Sequence, residues 1–518
     1  MQLIDKDLLS MQEVRELVEA AKEAQRELAG MSQEQVDHIV RAIADAGVRN
    51  ARRLAQMANE DTGFGIVDDK VIKNIFASRG VYEYIKDMKT IGEVGRDDAK
   101  GVRTIAVPVG VIAGLIPSTN PTSTALYKAE IAIKAGNAIV FSPHPAALRS
   151  ILETVKVIRQ AVAEAGGSEN LVSCITIPTM EATDNLMRHR DVAMILATGG
   201  SAMVRAAYSS GTPAIGVGPG NGPAYLEKTC DLPLAVKRIL DSKTFDNGTV
   251  CASEQSIICD EDMAGDVQAE MERQGAYFLD DAERERLGRF ILRANGTMNP
   301  EIVGRSVDTI AKLAGLDRVP AGARVLVARE TGVGRGHPYS NEKLGPILGF
   351  YTGADYRDVC GKVCEILHYE GAGHTFSMHT NDEKMVDYFA RRVPASRVLV
   401  NTPSALGGIG GTTALQPALT LGCGAVGGSA TSENVGPMHL LNLRYVAHGR
   451  RELADIRAEV PDCSDGICRA GADLSGVDVD EIVRRIIGRL HHGVGGLHGG
   501  HQALRLNHAK SLHCVCHR

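Results

Sequence analysis

GVIAGLIPSTNPTSTALYKAEIAIKAGNAIVFSPHP, residues 110–145, decides the fold class. It opens with an apolar run (110–117), passes through a proline-bearing polar loop into a helical pattern, and returns to an apolar run at NAIVFSP (137–143). Neither run alternates with polar residues, so each reads as a strand covered on both faces. The rhythm repeats at VSCITIP (172–178), VAMILAT (192–198) and PAIGVGP (213–219), with AALRSILETVKVIRQAVAEAG as one of the helices between. Strand–helix alternation of this kind predicts an α/β fold with a parallel, doubly wound sheet. Such sheets bind ligands beyond the carboxyl ends of their strands. The loops to inspect are therefore PSTNPT (117–122), SPHP (142–145) and ATGGS (197–201).

A second alternating region begins near residue 229 and runs to residue 424, with EQSIICD, RVLVARE, VCEILHYE and SRVLVN as expected strands. Two α/β domains with the site in the cleft between them follow. Upstream, residues 11–88 are helical in pattern, and TIGEVGRDDAKGVRTIAVPVG predicts a hairpin about a polar turn at Gly95 to Lys100. Beyond residue 449 the chain turns charged and small over 450–476, a linker by composition. VDVDEIVRRIIGRL (477–490) then has the spacing of an amphipathic helix, and residues 491–518 form a histidine-rich tail ending HCVCHR.

Composition narrows the function. The 518 residues are 44% hydrophobic and 23% charged, as a globular chain with a sizeable core requires. A net charge of -6 gives no reason to expect nucleic acid or an anionic membrane as partner. The N-terminus lacks the apolar run of a signal peptide, and no apolar stretch is long enough to span a bilayer. Eleven scattered cysteines read as reduced thiols and point to the cytoplasm.

Single residues are weak signals until they are placed. GVGPGNG (216–222) is no dinucleotide fingerprint, because no helix follows it, whereas ATGGS follows a strand and opens a helix whose free amides would attract an anion. Asn120 reads alone as a turn residue; at a strand end its amide could donate to a developing oxyanion. His144 lies between prolines at another strand end. Glu342, before a Gly-Pro turn, reads as a solvated carboxylate or as a partner for a ribose hydroxyl or a proton. His374 reads first as a structural histidine. In FDNGTVCASEQSIIC (245–259), Cys259 falls in a strand-like run and packs, while Cys251 stands at a turn where backbone amides could favour its thiolate.

Taken in order, NPTST, FSPHP, LATGG, FDNGTVCASEQ, NEKLGPILGFY, GHTFSMHT and TLGCGAVGGSATSENVGP resemble the coenzyme A-acylating aldehyde dehydrogenases of the aldehyde dehydrogenase superfamily, from about residue 5 to residue 449. The likeness is nearest to the microcompartment-associated enzymes and to the aldehyde half of bifunctional aldehyde–alcohol dehydrogenases. An iron-dependent alcohol dehydrogenase half is not expected within these residues. The resemblance implies a Rossmann-type nucleotide-binding domain (1–228 and 425–449) with an oligomerisation hairpin near 90–108, and a catalytic domain over 229–424. It implies NAD and coenzyme A as cofactors, a short-chain aldehyde as substrate, and a homo-oligomer, dimer or tetramer. It makes Cys251 the nucleophile, Asn120 an oxyanion donor, and His374 a residue with some part in proton handling. Pro117, Ser118, Ser142, Pro143, His144, the turn Thr198, Gly199, Gly200 and Ser201, and also Gly218 and Pro346 would bind cofactor, with Glu342 on the nicotinamide ribose.

One departure from the wider superfamily bears on the reaction. Hydrolytic members carry an acid in E-L-G-G that activates water; here the equivalent stretch is IGVGPGNGP (215–223), with no acid. A thioester without a base for water persists to meet a thiolate, which needs little base help. A hydrolytic or semialdehyde dehydrogenase, or a catalytically silent scaffold, is the alternative. Residues 477–490 resemble the short peptides that dock enzymes to a microcompartment shell, which would place the protein inside that compartment. No metal site is assigned to the His/Cys-rich tail, and acetaldehyde, propionaldehyde and lactaldehyde all remain as substrates.

Overall fold

The computed structural model describes residues 5–293 and 296–459. The helical N-terminus begins at Asp5, whose carboxylate accepts the N–H groups of Asp7 and Leu8 to cap α1 (Lys6–Ala29). A Ser32/Gln35 capping box starts α2 (Gln33–Thr62), and Gly63 in the left-handed region ends it. α3 (Val67–Ile75) runs through a single π-helical turn, Phe76–Gly80, into α4 (Val81–Ile85). α3 is inside out: Lys70, Lys73 and Asn74 are buried, while Ile66, Ile72 and Ile75 are exposed.

Three sheets follow. β1 (Gly92–Asp97) and β2 (Val102–Pro108) form the expected hairpin, and β15 (Leu441–Ala447) adds to β2 antiparallel. The second sheet is parallel with order β5-β4-β3-β6-β7: β3 (Val111–Ile116), β4 (Ala138–Pro143), β5 (Val172–Cys174), β6 (Val192–Thr198) and β7 (Ala214–Val217). These are the five runs read from the sequence. α5 (Pro121–Lys134), α6 (Leu148–Glu164), α7 (Met180–Met187) and α8 (Ser201–Ser209) connect them. All of α5 is buried, which is why it shows so little polar patterning.

The third sheet is parallel, order β10-β11-β12-β9-β8-β13-β14, built from β8 (Gly222–Leu226), β9 (Glu254–Asp260), β10 (Ala276–Phe278), β11 (Val325–Arg329), β12 (Ile347–Gly353), β13 (Gly373–His379) and β14 (Ala395–Val400). α9 (Leu232–Thr244) lies between β8 and β9. Two sequence readings change here. β8 pairs with β9 and β13, so this sheet starts before residue 228. VCEILHYE is not a strand but the end of a helix, Tyr356–Tyr369, because Val359, Val363, Ile366 and Leu367 recur at helical spacing and Asp355 caps its start.

Residues up to Ala447 form one compact unit and those from His448 a second, of which 448–459 are described and include a short helix, Leu453–Ala458. The rest of the expected linker, the amphipathic helix 477–490 and the tail 491–518 lie outside the described residues. Among the described residues no helix is long and apolar enough to cross a membrane.

Asn137 joins the second sheet to the segment that returns to the hairpin. Its Oδ1 accepts the part-buried Gly110 N–H at 2.9 Å and its Nδ2 donates to the buried Leu440 carbonyl at 2.9 Å. Asn137→Ala strands both backbone groups, at about 1–3 kcal/mol each. A lowered urea midpoint with an unchanged slope is the expected result; an unchanged midpoint would refute this account of the junction.

Candidate active site

Cys251 sits between the end of α9 and the start of β9. The backbone reaches it through Asp246 and Asn247, both in the left-handed region with φ 49° and 52°. Neither is glycine, so the turn stores strain that its surroundings must hold. Cys251 is partly exposed, whereas Cys259, eight residues on in β9, is fully buried, dividing the two as the sequence suggests.

Asn120, at the end of β3, turns its amide to the same place. Its Nδ2 donates to the Thr249 carbonyl at 3.3 Å and the Thr119 hydroxyl at 3.3 Å, and its Oδ1 accepts from Lys73 Nζ at 2.5 Å. Both donor contacts are long, so the NH2 group is underused.

The loop after β7 packs on the Cys251 backbone. A Cβ on Gly220 would stand 1.9 Å from the Cys251 carbonyl oxygen and 3.1 Å from the His374 ring, so only glycine fits. The Gly220 N–H donates to Glu342 Oε1 at 2.8 Å, and the Glu342 N–H donates to Glu370 Oε2 at 2.7 Å. Burial, then the neighbouring Glu370, raises the Glu342 carboxyl to about 8. His374 is buried, with Nδ1 and the Thr375 hydroxyl 2.9 Å apart and Nε2 unpartnered; burial, then Arg397, drops its pKa to about 3 and keeps it neutral.

The thiol itself is protonated at rest. Burial pushes it up to about 12, with Glu342 and Cys423 adding to the effect and Arg397 and its backbone hydrogen bond opposing it. Backbone amides alone do not give the stable thiolate that the sequence suggested.

A cavity of about 810 Å³ opens beside Glu342, lined by Gly200, Ser201, Arg205, Met298, Asn341 and Glu370. Its size suits a nucleotide-sized ligand, and the α8 N-terminus offers backbone amides to an anionic group. The expected Gly200, Ser201 and Glu342 meet here. Pro117 and Ser118 follow β3, Pro143 ends β4 and precedes His144, and Thr198 ends β6 with Gly199 after it, all at the carboxyl edge of one sheet. His144 is exposed and uses Nδ1 to accept the Ala146 N–H. Gly218 donates its N–H toward the Cys423 thiol. Two expectations are displaced. The Ser142 hydroxyl is buried against that of Thr183 at 2.9 Å, and Pro346 is buried with its carbonyl on the Leu326 N–H, so both serve the scaffold.

Lys70, Lys73, Asp246, Glu370 and Arg397 escaped the sequence reading. The signal for the lysines was their i, i+3 spacing on a short helix with acidic residues, VDDKVIKN, which reads as a solvated face. Arg397 lay inside an apolar strand, where it now donates to Gly422, Ser432 and Asn434.

Comparison with known proteins agrees with this geometry. The aldehyde dehydrogenase family matches over residues 4–286. The bifunctional aldehyde-alcohol dehydrogenase of Escherichia coli is 45% identical over 440 residues, which are 84% of this chain and 49% of that protein. The chain thus spans about half the length of such relatives. The succinate-semialdehyde dehydrogenase (acetylating) of Clostridium kluyveri is 36% identical over 439 residues, 85% of this chain and 96% of that one. The crystal structure of a probable aldehyde dehydrogenase from Listeria monocytogenes superposes with TM-score 0.87 at 62% identity, covering 88% of this chain and all of its own.

The electrostatics predict how Cys251 reacts. Its alkylation by iodoacetamide, followed by peptide mass spectrometry, should keep rising to pH 10 rather than level off near the ordinary thiol value of about 8.5. Glu342→Gln should be alkylated faster, with the gap opening above about pH 8, where the native carboxyl is charged and opposes the thiolate. A plateau below pH 8, or equal rates for both proteins at pH 9–10, would contradict the assignment.

Proposed function

The chain belongs to the aldehyde dehydrogenase family, and from that premise we propose that it oxidises a short-chain aldehyde to the acyl-coenzyme A thioester through a Cys251 acyl intermediate. The observation that carries this is the juxtaposition of Cys251 with the Asn120 amide and with a loop, Val217 to Gly220, that bears no acid. The name of the Clostridium kluyveri relative, an acetylating dehydrogenase, supports the same reaction.

The cavity beside Glu342 and the amides of α8 fit a dinucleotide and, after it, coenzyme A. Bound NAD supplies the hydride acceptor, and coenzyme A supplies the thiol that takes the acyl group. The chain's own residues do the rest. Cys251 sulfur adds to the aldehyde carbon, and the carbonyl oxygen gathers negative charge within reach of the underused Asn120 NH2 and backbone N–H groups. Glu342, its carboxyl raised to about 8 by burial, would take a proton in the thiol's neighbourhood only in its ionised fraction, which grows as pH rises. Its hold on Gly220 keeps the acid-free loop against the nucleophile. His374, held neutral, cannot act as a resident cation there. The acyl-cysteine then waits for a thiol, because no side chain of that loop can activate water.

The reading extends to a microcompartment shell as partner, supported by the sequence pattern of residues 477–490. Shortening the chain at residue 475 should release it from the shell with aldehyde oxidation intact.

The catalytic test is direct. Cys251→Ala should form neither NADH nor acyl-coenzyme A, and Asn120→Ala should lose about 10²–10³ in kcat. Without coenzyme A, the wild type should stop after roughly one NADH per site. Steady NADH formation with free acid as product would overturn the acyl-transfer reading.

A further inference from the structure

Lys73 ends in three contacts, two of them short, and has no proton left over. Its ammonium donates to Asp246 Oδ2, to Asn120 Oδ1 at 2.5 Å and to the Thr249 hydroxyl at 3.3 Å. An ammonium has three donors and no acceptor. The Asn120 amide must therefore present its oxygen to Lys73, and the other end, the NH2, is left facing the Thr249 carbonyl and the nucleophile's loop. Without a donor there, only the long 3.3 Å contact to the Thr249 carbonyl, which can accept but not donate, would favour NH2 toward the site, because the Thr119 hydroxyl can accept or donate.

The position of Lys73 is itself built. α3 exposes Ile72 and Ile75 so that Lys70, Lys73 and Asn74 can face inward. Asn74 accepts from the Thr122 hydroxyl at 2.8 Å and donates to the Ala51 carbonyl at 3.0 Å, which fixes α3 against α2 and α5. Lys70 donates to the same Asp246 Oδ2 at 3.0 Å. The Asp246 carboxylate also accepts the Ile66 N–H at 2.7 Å and the Thr249 hydroxyl at 2.7 Å, and the Asp246 N–H donates to Asp69. One short helix thus holds the oxyanion donor and the turn before the nucleophile through a single side chain.

We propose that Lys73 is the positioning residue of the oxyanion site: it locks the Asn120 amide with NH2 toward the reacting carbonyl and holds Thr249 in register with it. The assignment rests on the reading of Cys251 as nucleophile and Asn120 as oxyanion donor. Lys73 touches no substrate; it acts through Asn120.

The test is a kinetic cycle on the full chain, with NADH followed at saturating aldehyde, NAD and coenzyme A. Lys73→Met keeps the aliphatic stem and removes the donors. It should lower kcat at least about tenfold, toward the loss of Asn120→Ala, while KM for the aldehyde shifts less than about threefold. Lys73→Gln, which keeps donors on a similar stem, should recover much of kcat. The double variant Lys73→Met/Asn120→Ala should be no slower than Asn120→Ala alone, within about twofold, because the amide being oriented is gone. If Lys73→Met does not fold, Lys70→Met/Lys73→Met/Asp246→Asn removes the three buried charges together and enters the same cycle. Losses that multiply in the double variant, or a kcat for Lys73→Met within about twofold of the wild type, overturn the proposal. A wild type that makes no NADH, or an Asn120→Ala that keeps full kcat, would instead defeat the underlying reading of the site.

Discussion

The buried Asp246 carboxylate is the constraint on which the site depends. A fully buried charge is tolerated only when paired and hydrogen-bonded. Here two ammonium groups, a hydroxyl and a backbone N–H converge on it, and nearby lysines together with those hydrogen bonds hold it ionised, below its ordinary range, against the cost of burial. Removing one partner of such a cluster typically costs about 3–5 kcal/mol, because a charge is left stranded. Any rearrangement that pulls the carboxylate from these partners would strand it, which holds Asp246 and Asn247 in left-handed backbone at a cost of about 1–3 kcal/mol each. The turn before Cys251 is thus tied to α3 through this anion, and the same two lysines reach the loop after β3 at Thr119 and Asn120.

A second constraint is spatial. Gly220 leaves no room for a side chain against the Cys251 carbonyl, and Glu342 pins that glycine by its N–H. Three parts of the chain far apart in sequence are therefore held together at Cys251. The close fit also dries the site. Drying raises the thiol and the Glu342 carboxyl and lowers His374, so all three rest uncharged near neutral pH. Charge then appears during reaction, in a medium where an oriented amide dipole acts more strongly than in water.

The five-stranded sheet was legible because its strands are apolar on both faces and separated by helices. The seven-stranded sheet was only half so. β13 reads GHTFSMH, and its Thr375, Ser377 and His379 are buried although the alternation suggests a wetted face. The run VCEILHYE misled because a short apolar run fits a buried strand and a helix end equally well. Cys251, Asn120 and Glu342 were singled out in the sequence through the ordered motifs around them, since each read alone was ambiguous. Lys73 was not, since charged residues on a helix with exposed isoleucines read as solvated. Only tertiary contact reveals that α3 presents its polar face inward. The Ser142 and Pro346 expectations failed for the opposite reason: being at a strand end or next to a motif does not say which way a side chain turns.

Hydrolysis and acyl transfer differ here by one carboxylate and its surroundings. Val217 is buried, Gly218 gives its N–H toward the Cys423 thiol, and Gly220 admits no side chain, so the loop cannot carry a base against the thioester without rebuilding its contacts. Glu342 is the carboxyl nearest in function, and its oxygen is committed to the Gly220 N–H while burial keeps it largely protonated at neutral pH. Water, a weak nucleophile without a base, is thus disfavoured by the same contact that fixes the loop. A thiol entering from the cavity beside Glu342 needs far less help, since a substantial thiolate fraction is accessible to a free thiol near neutral pH. In the proposed reaction, the acyl group's fate would therefore follow from backbone packing at Gly220 as much as from the absence of an acid.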